Sequence, residues 1–277
     1  MQLALCQYSF HRRWAAEAWD IARLCREAVA LGVPSIDLHT RLAAGQLSDP
    51  AAVRAVLAAA GVSLAGLSFS NAFTRPDAIA FQAEVTKIQG WIRLARALGA
   101  DTARIFGGHL GEDRRLDPVA RRQGLQQVID GLGAVIRCAE DEGVTLALEN
   151  HGFLPGTSAE VLQVLGAIAS PRLRATIDLG NFLQAGEEPV AAAGVLAPYG
   201  AYVHVKGMRK VPSLRWPWGW EVEACTPGEG DVDLPGCIAA LRRFGFTGVV
   251  ALEYEGPIPE VDGIPASLTR LRAALAA

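Results

Sequence analysis

The sequence predicts an α/β fold, a single (β/α)8 barrel, on three observations. Short apolar runs alternate with Ala-, Leu- and Arg-rich helical segments through eight repeats. The runs are apolar on both sides of the pleat, as parallel strands covered by helices are. No G-x-G-x-x-G turn follows the first run, which continues Ser9-Phe10-His11-Arg12-Arg13, so a doubly wound nucleotide-binding sheet lacks its signature. The 277 residues, 51% of them hydrophobic, suffice for one such domain, and residues 1–277 are read as one barrel.

The elements follow in order. Leu3 to Phe10 is the first run, and a helix from about Trp14 to Leu31 ends at Gly32. Ser35 to His39 precedes a helix near Pro50 to Ala60, closed by Gly61. Leu64 to Ser70 leads to a long helix, Asp77 to Leu98, closed by Gly99. Thr102 to Phe106 runs into Gly107-Gly108, and the helix Pro118 to Glu142 is closed by Gly143. Then come Thr145 to Glu149, the helix Ser158 to Ile168, Leu173 to Asp178, and a helix near Pro189 to Leu196. Ala201 to Val205 is followed by a long loop, residues 208–230, placed over the C-terminal face of the barrel. A helix from Leu234 to Phe244, the run Val249 to Glu253 and a last helix from Ile264 to Ala276 complete the chain. Gly after a last apolar residue supplies the left-handed cap, and Pro50, Pro118 and Pro189 sit where a missing N–H costs little.

Composition excludes several function classes. Net charge is −3 and the pI about 6.0, which builds no field for nucleic acid. Five dispersed cysteines without C-x-x-C spacing point to buried thiols in a reducing compartment. No basic leader and no apolar stretch of membrane length is present, so a cytoplasmic protein with no membrane partner is expected.

Polar residues at the C-terminal ends of barrel strands are where this fold places chemistry. The last four runs each offer one or more: Glu149, Asp178, His204 and Glu253. Any one of them alone reads as a cap or an ion-pair partner. Four on neighbouring strands carry a burial cost that a bound cation removes. Three carboxylates and an imidazole suit one divalent metal ion, with Mn2+ placed first among Mn2+, Mg2+, Co2+ and Zn2+.

The segments LALENHG, ATIDLGNF, YVHVKGM, PGEGDVDL and VVALEYEG resemble the xylose-isomerase-like TIM barrel superfamily, the group of sugar phosphate isomerases and epimerases. The resemblance covers essentially the whole chain. It implies that Glu149, Asp178, His204 and Glu253 are metal ligands and that Glu149 and Glu253 form a catalytic acid/base pair. A metal-dependent isomerase or epimerase is therefore expected, acting on a small sugar-like molecule through proton abstraction next to a carbonyl and a metal-stabilised enediolate. The alternative is a lyase, a dehydratase or decarboxylase of a keto sugar acid or keto-inositol, using the same site. The related AP endonucleases fit worst, since Asn181 stands where their pattern has His and no further His follows His204.

Substrate contacts are expected from Lys206, two residues beyond His204 and on its side of the strand, and from Arg104, His109, His151, Asn181 and His39. The 208–230 loop carries Arg209, Lys210, Arg215, Trp216, Trp218 and Trp220. It reads equally as a cover for a sugar ring and as a contact in a homo-oligomer.

Overall fold

The computed structural model describes residues 1–277. Eight parallel strands close into a barrel: β1 (Gln2–Leu5), β2 (Ser35–His39), β3 (Ser63–Ser68), β4 (Thr102–Ile105), β5 (Thr145–Glu149), β6 (Leu173–Asp178), β7 (Gly200–Val205) and β10 (Val249–Leu252), with β10 pairing both β7 and β1. The outer layer is α1 (His11–Ala16), α2 (Ile21–Ala30), α3 (Pro50–Ala59), α4 (Ala78–Leu98), α5 (Pro118–Glu142), α6 (Ser158–Ile168), α7 (Asn181–Gln184), α8 (Pro189–Leu196), α9 (Leu234–Arg243) and α10 (Glu260–Ala276). No helix is long and apolar enough to cross a membrane.

The helices start where the sequence supplies caps. Asp20, Asp49, Asp77, Asp117 and Asp233 each accept a backbone N–H of the first turn, and Thr157 with Glu160 forms a full capping box. Gly99 and Gly143 end α4 and α5 with φ of 82° and 73°, a conformation in which a Cβ is strained.

The strands are more finely patterned than apolar on both sides. Leu5, Ile36, Leu67, Leu148, Ile177, Val203 and Leu252 face the helices in the main core. The alternate residues Ala4, Ala147 and Ala251 pack with Cys6 and Tyr202 in a small separate cluster inside the barrel. Small residues and one tyrosine make up this cluster, and the polar strand ends lie beyond it.

The short α7 was not expected, α10 begins at Glu260 rather than Ile264, and the structure departs further from the sequence reading in three places. The first strand stops at Leu5, and Gln7–Phe10 forms a 3-10 turn. There Gln7 Oε1 accepts the His39 amide at 2.7 Å, and Ser9 Oγ donates to the Leu252 carbonyl and accepts from the Tyr254 amide. The expected helix from Trp14 to Leu31 is split into α1 and α2 by Ala18, with φ 48°, and by the Asp20 cap. Segment 208–230 is not a structureless loop: β8 (Gly207–Pro212) and β9 (Trp220–Cys225) pair antiparallel. The alternation Glu221-Val222-Glu223-Ala224 is the period-two signal of a strand with one wet face.

Candidate metal centre and active site

Strand register gathers the polar ends. Asp178 lies beside His204, and Ala251 also aligns with His204, so Glu253 lies two residues further on. Glu149 pairs Thr176, two residues before Asp178. All four side chains are buried. His204 Nδ1 is the hub, 3.3 Å from Glu149 Oε1, 3.6 Å from Glu253 Oε2 and 3.9 Å from Asp178 Oδ2. One donor atom from each of Glu149, Asp178, His204 and Glu253 lies within 4.8 Å of every other.

The backbone aims these groups. Asp178 Oδ1 accepts the amides of Gly180 and Asn181 at 2.9 Å each, at the start of α7. Asn150, fully buried, accepts the Asp178 amide at 2.8 Å and donates to the Asp178 carbonyl at 3.0 Å, locking β5 to β6. Asp178 Oδ2 is thereby turned inward. It and Glu253 Oε2 are buried without a hydrogen bond. The Lys206 ammonium is 3.0 Å and 2.7 Å from these two oxygens, yet off the direction a hydrogen bond needs. Converging buried oxygen lone pairs beside an imidazole are the donor set a divalent cation takes, so the residues fit the expected metal.

Burial opposes every charge in this cluster, and neighbours decide which charges persist. For His204, Glu253 and Glu149 overcome burial and lift the imidazolium to about 9. For Asp178, burial dominates; Glu149 and Glu253 add to it against Lys206 and push the carboxyl to about 8. Burial also resists ionisation of Glu253, but Lys206 and His204 hold it down at about 2. Glu149 lies well below the usual carboxylate range because Arg104 and His204 outweigh burial; the Arg104 Nε is 3.2 Å from its Oε2. Protons on His204 and Asp178 therefore balance the carboxylates at neutral pH, and a divalent cation would displace them.

Glu149 and Glu253 also face a cavity of about 420 Å3 at the barrel mouth. Of the expected substrate residues, Lys206, Arg104, His109, His151 and His39 line it. Asn181 does not: its amide serves Asp178, and its side-chain Nδ2 is buried without a partner. Burial is the main influence holding His39 neutral, down at about 3, and His151 at about 4. His151 packs on Phe106 at 4.3 Å, and the Arg104 guanidinium covers Phe106 at 3.8 Å, one stacked wall of the cavity. No side chain of segment 208–230 lines the cavity. Trp216 instead stacks on Phe153 at 5.1 Å and on Trp218 at 5.3 Å, so the hairpin is pinned beside the β5 loop.

The sequence reading passed over Tyr8, Arg41, Asn71, Arg75 and Glu255 in the cavity wall, and Asp37 behind it. Asp37 Oδ2 lies 4.0 Å from His204 Nε2. A charged residue inside an otherwise apolar parallel strand was the available signal for Asp37. Glu255 lies two residues beyond Glu253, on the same side of the chain while it stays extended, whereas Arg41 sits in the turn that follows β2.

The family described as xylose isomerase-like TIM barrel matches residues 25–274. The uncharacterized protein YihM of Escherichia coli is 25% identical over 154 residues, 56% of this chain and 43% of that protein. The uncharacterized protein MJ1311 of Methanocaldococcus jannaschii is 28% identical over 127 residues, 44% of this chain and 41% of that protein. The matched stretch thus spans under half the length of either relative. Among solved structures, IolI with a bound zinc atom superposes with TM-score 0.80 at 16% identity, over 100% of this chain and 98% of that one. The probable 3-DHS dehydratase AsbF of Bacillus anthracis gives 0.77 at 19%, over 98% and 99%. A D-psicose 3-epimerase crystallised with D-fructose gives 0.76 at 14%, over 100% of both chains. At these identities the likeness shows a shared fold.

Proposed function

The chain belongs to the xylose isomerase-like TIM barrel family, and on that premise we propose that it is a divalent-metal-dependent isomerase or epimerase of a small sugar or sugar derivative. The observation that carries this is the cluster of Glu149, Asp178, His204 and Glu253, with donor atoms within 4.8 Å of one another, opening on a polar cavity. These four would hold the cation, Mn2+ first among Mn2+, Mg2+, Co2+ and Zn2+. When bound, it would polarise a carbonyl oxygen of the substrate and stabilise the enediolate left by proton loss.

The remaining chemistry belongs to the side chains. Glu149 and Glu253 lie on β5 and β10, on either side of His204, and both reach the cavity. Both are ionised at neutral pH, the form that accepts a proton from carbon. One, as the carboxylate, removes the proton next to the carbonyl, and the other, once it has taken up a proton from solvent, delivers that proton to the opposite face. Arg104 holds Glu149 in place, and Arg104 and Lys206 reach substrate oxygens from the same wall. Neutral His151 and His39 serve as hydrogen-bond partners for hydroxyls.

Keto sugars incubated in D2O with the metal-loaded protein test the proposal. Deuterium appearing next to the carbonyl, with no change in formula, is the expected mass spectrum. Glu149→Gln and Glu253→Gln are each expected to slow the exchange about 10²–10⁴-fold. Absence of exchange into every keto sugar would contradict the reading. A second reading, a lyase of a keto sugar acid or keto-inositol, is favoured by Arg41 and Arg75 in the cavity wall, which suit an anionic substrate. Its signature is a product lighter by water or carbon dioxide.

A further inference from the structure

The cavity has two chemically different walls. The carboxylates on one side are matched: Glu149 by Arg104, and Glu253 with Glu255 by Lys206. In the ring of strands, β2 and β3 stand four places from β6 and β7, across the barrel from Asp178 and His204. The loops of β2 and β3 bring Arg41 and Arg75 to the mouth. Arg41 is exposed and has no carboxylate within 4.0 Å. Arg75 touches Glu84 Oε2 at 2.5 Å, but the same oxygen also meets Lys87 at 2.7 Å, so that group keeps a net positive charge. Arg75 and His109 also border a neighbouring hollow of about 620 Å3, whose lining adds Arg114 and contains no carboxylate. The wall facing the metal ligands is therefore net cationic, with Glu84 balancing only part of its charge.

Resting on the functional reading above, we infer that the substrate is anionic: its reacting carbonyl end lies at Glu149 and Glu253, and a carboxylate or phosphate at its far end is bound by Arg41, with Arg75 beside it. Guanidinium forks suit both anions, which share planar or tetrahedral oxygens that accept paired N–H bonds. Arg41 is the specificity residue of the pair that can be altered cleanly. Its side chain has no ion pair, whereas Arg75 also anchors Glu84, which accepts the Ala72 amide at 3.0 Å.

The test is calorimetric titration of the Mn2+-loaded wild type and Arg41→Gln with three six-carbon ketose probes: D-fructose, D-fructose 6-phosphate and D-fructuronate. At least one anion is expected to bind wild type about tenfold or more tightly than D-fructose, and Arg41→Gln to remove most of that preference. D-fructose affinity and metal content should stay at the wild-type level in the variant. Which anion loses affinity tells phosphate from carboxylate. Equal affinity for all three probes, no binding of either anion, or an anion preference that survives Arg41→Gln overturns the inference. Metal content measured on the same samples keeps the two ideas apart. Protein that holds no metal yet binds anions through Arg41 contradicts the functional reading alone; metal-loaded protein without anion preference contradicts this inference alone.

Discussion

At the scale of the residue, Lys206 and the two proton-holding groups, His204 and Asp178, decide how the cluster behaves. The Lys206 ammonium lies against the very oxygens a cation would use, Asp178 Oδ2 and Glu253 Oε2. Lys206→Gln is therefore expected to bind divalent metal about tenfold or more tightly in a direct titration, because a competing charge is gone. Weaker binding would mean instead that Lys206 holds the carboxylates in the ligating arrangement. The pH dependence has a definite sign. His204, raised from 6.5 to about 9, stabilises the metal-free fold fully below 6.5, and this is lost as pH rises through 9. Asp178, raised from 3.8 to about 8, acts in the same direction, since its charged form is the one burial penalises. Metal-free protein should thus melt at a lower temperature near pH 9 than near pH 7. Metal uptake near pH 7 should release protons, and affinity should climb with pH. A melting temperature independent of pH over this window would contradict the assignment. The four cluster residues were legible in the sequence because each ends an apolar strand. Arg41, Arg75 and Asn71 were not, because loop residues carry no period and only the closed barrel decides which of them meet the cavity.

At the scale of the element, the helices were read closely because caps are local. Pro118–Glu142 and Ser158–Ile168 carry their start and stop signals within a few residues. What failed was non-local. Gln7 and Ser9 leave the first strand because their side chains bond the β2 and β10 regions, far along the chain. Element contacts also set the cavity wall. A Cβ on Gly131 in α5 would sit 2.0 Å from Cδ1 of fully buried Phe73, in the segment that carries Asn71 and Arg75. Gly131→Ala is expected to cost about 1–3 kcal/mol in chemical denaturation through this overpacking. An unchanged denaturation midpoint would show that Phe73 yields freely. For the β8–β9 hairpin the sequence left a cover and an oligomer contact equally open; Trp216 and Trp218 stack on Phe153 beside the site rather than line it.

At the scale of the whole molecule, the closed ring is what makes the chemistry coherent. Alternation along each strand sends large apolar side chains outward and leaves small ones inside, so the polar ends share one level at the mouth. Opposite strands then give opposite walls, carboxylates and imidazole on β5–β10 and guanidiniums on the loops of β2 and β3. Fold class and the identity of the strand-end residues follow from pattern. The division of the cavity into an acidic and a basic side follows only from closure, which no local signal encodes. The central claim is that Glu149, Asp178, His204 and Glu253 hold one divalent cation. Elemental analysis of wild type beside Asp178→Ala, after dialysis against Mn2+, tests it most directly. The account predicts about one metal ion per chain in the wild type, little in the variant, and a metal-dependent rise in melting temperature for the wild type alone. No metal in either protein after dialysis against Mn2+, Mg2+, Co2+ and Zn2+ would contradict it.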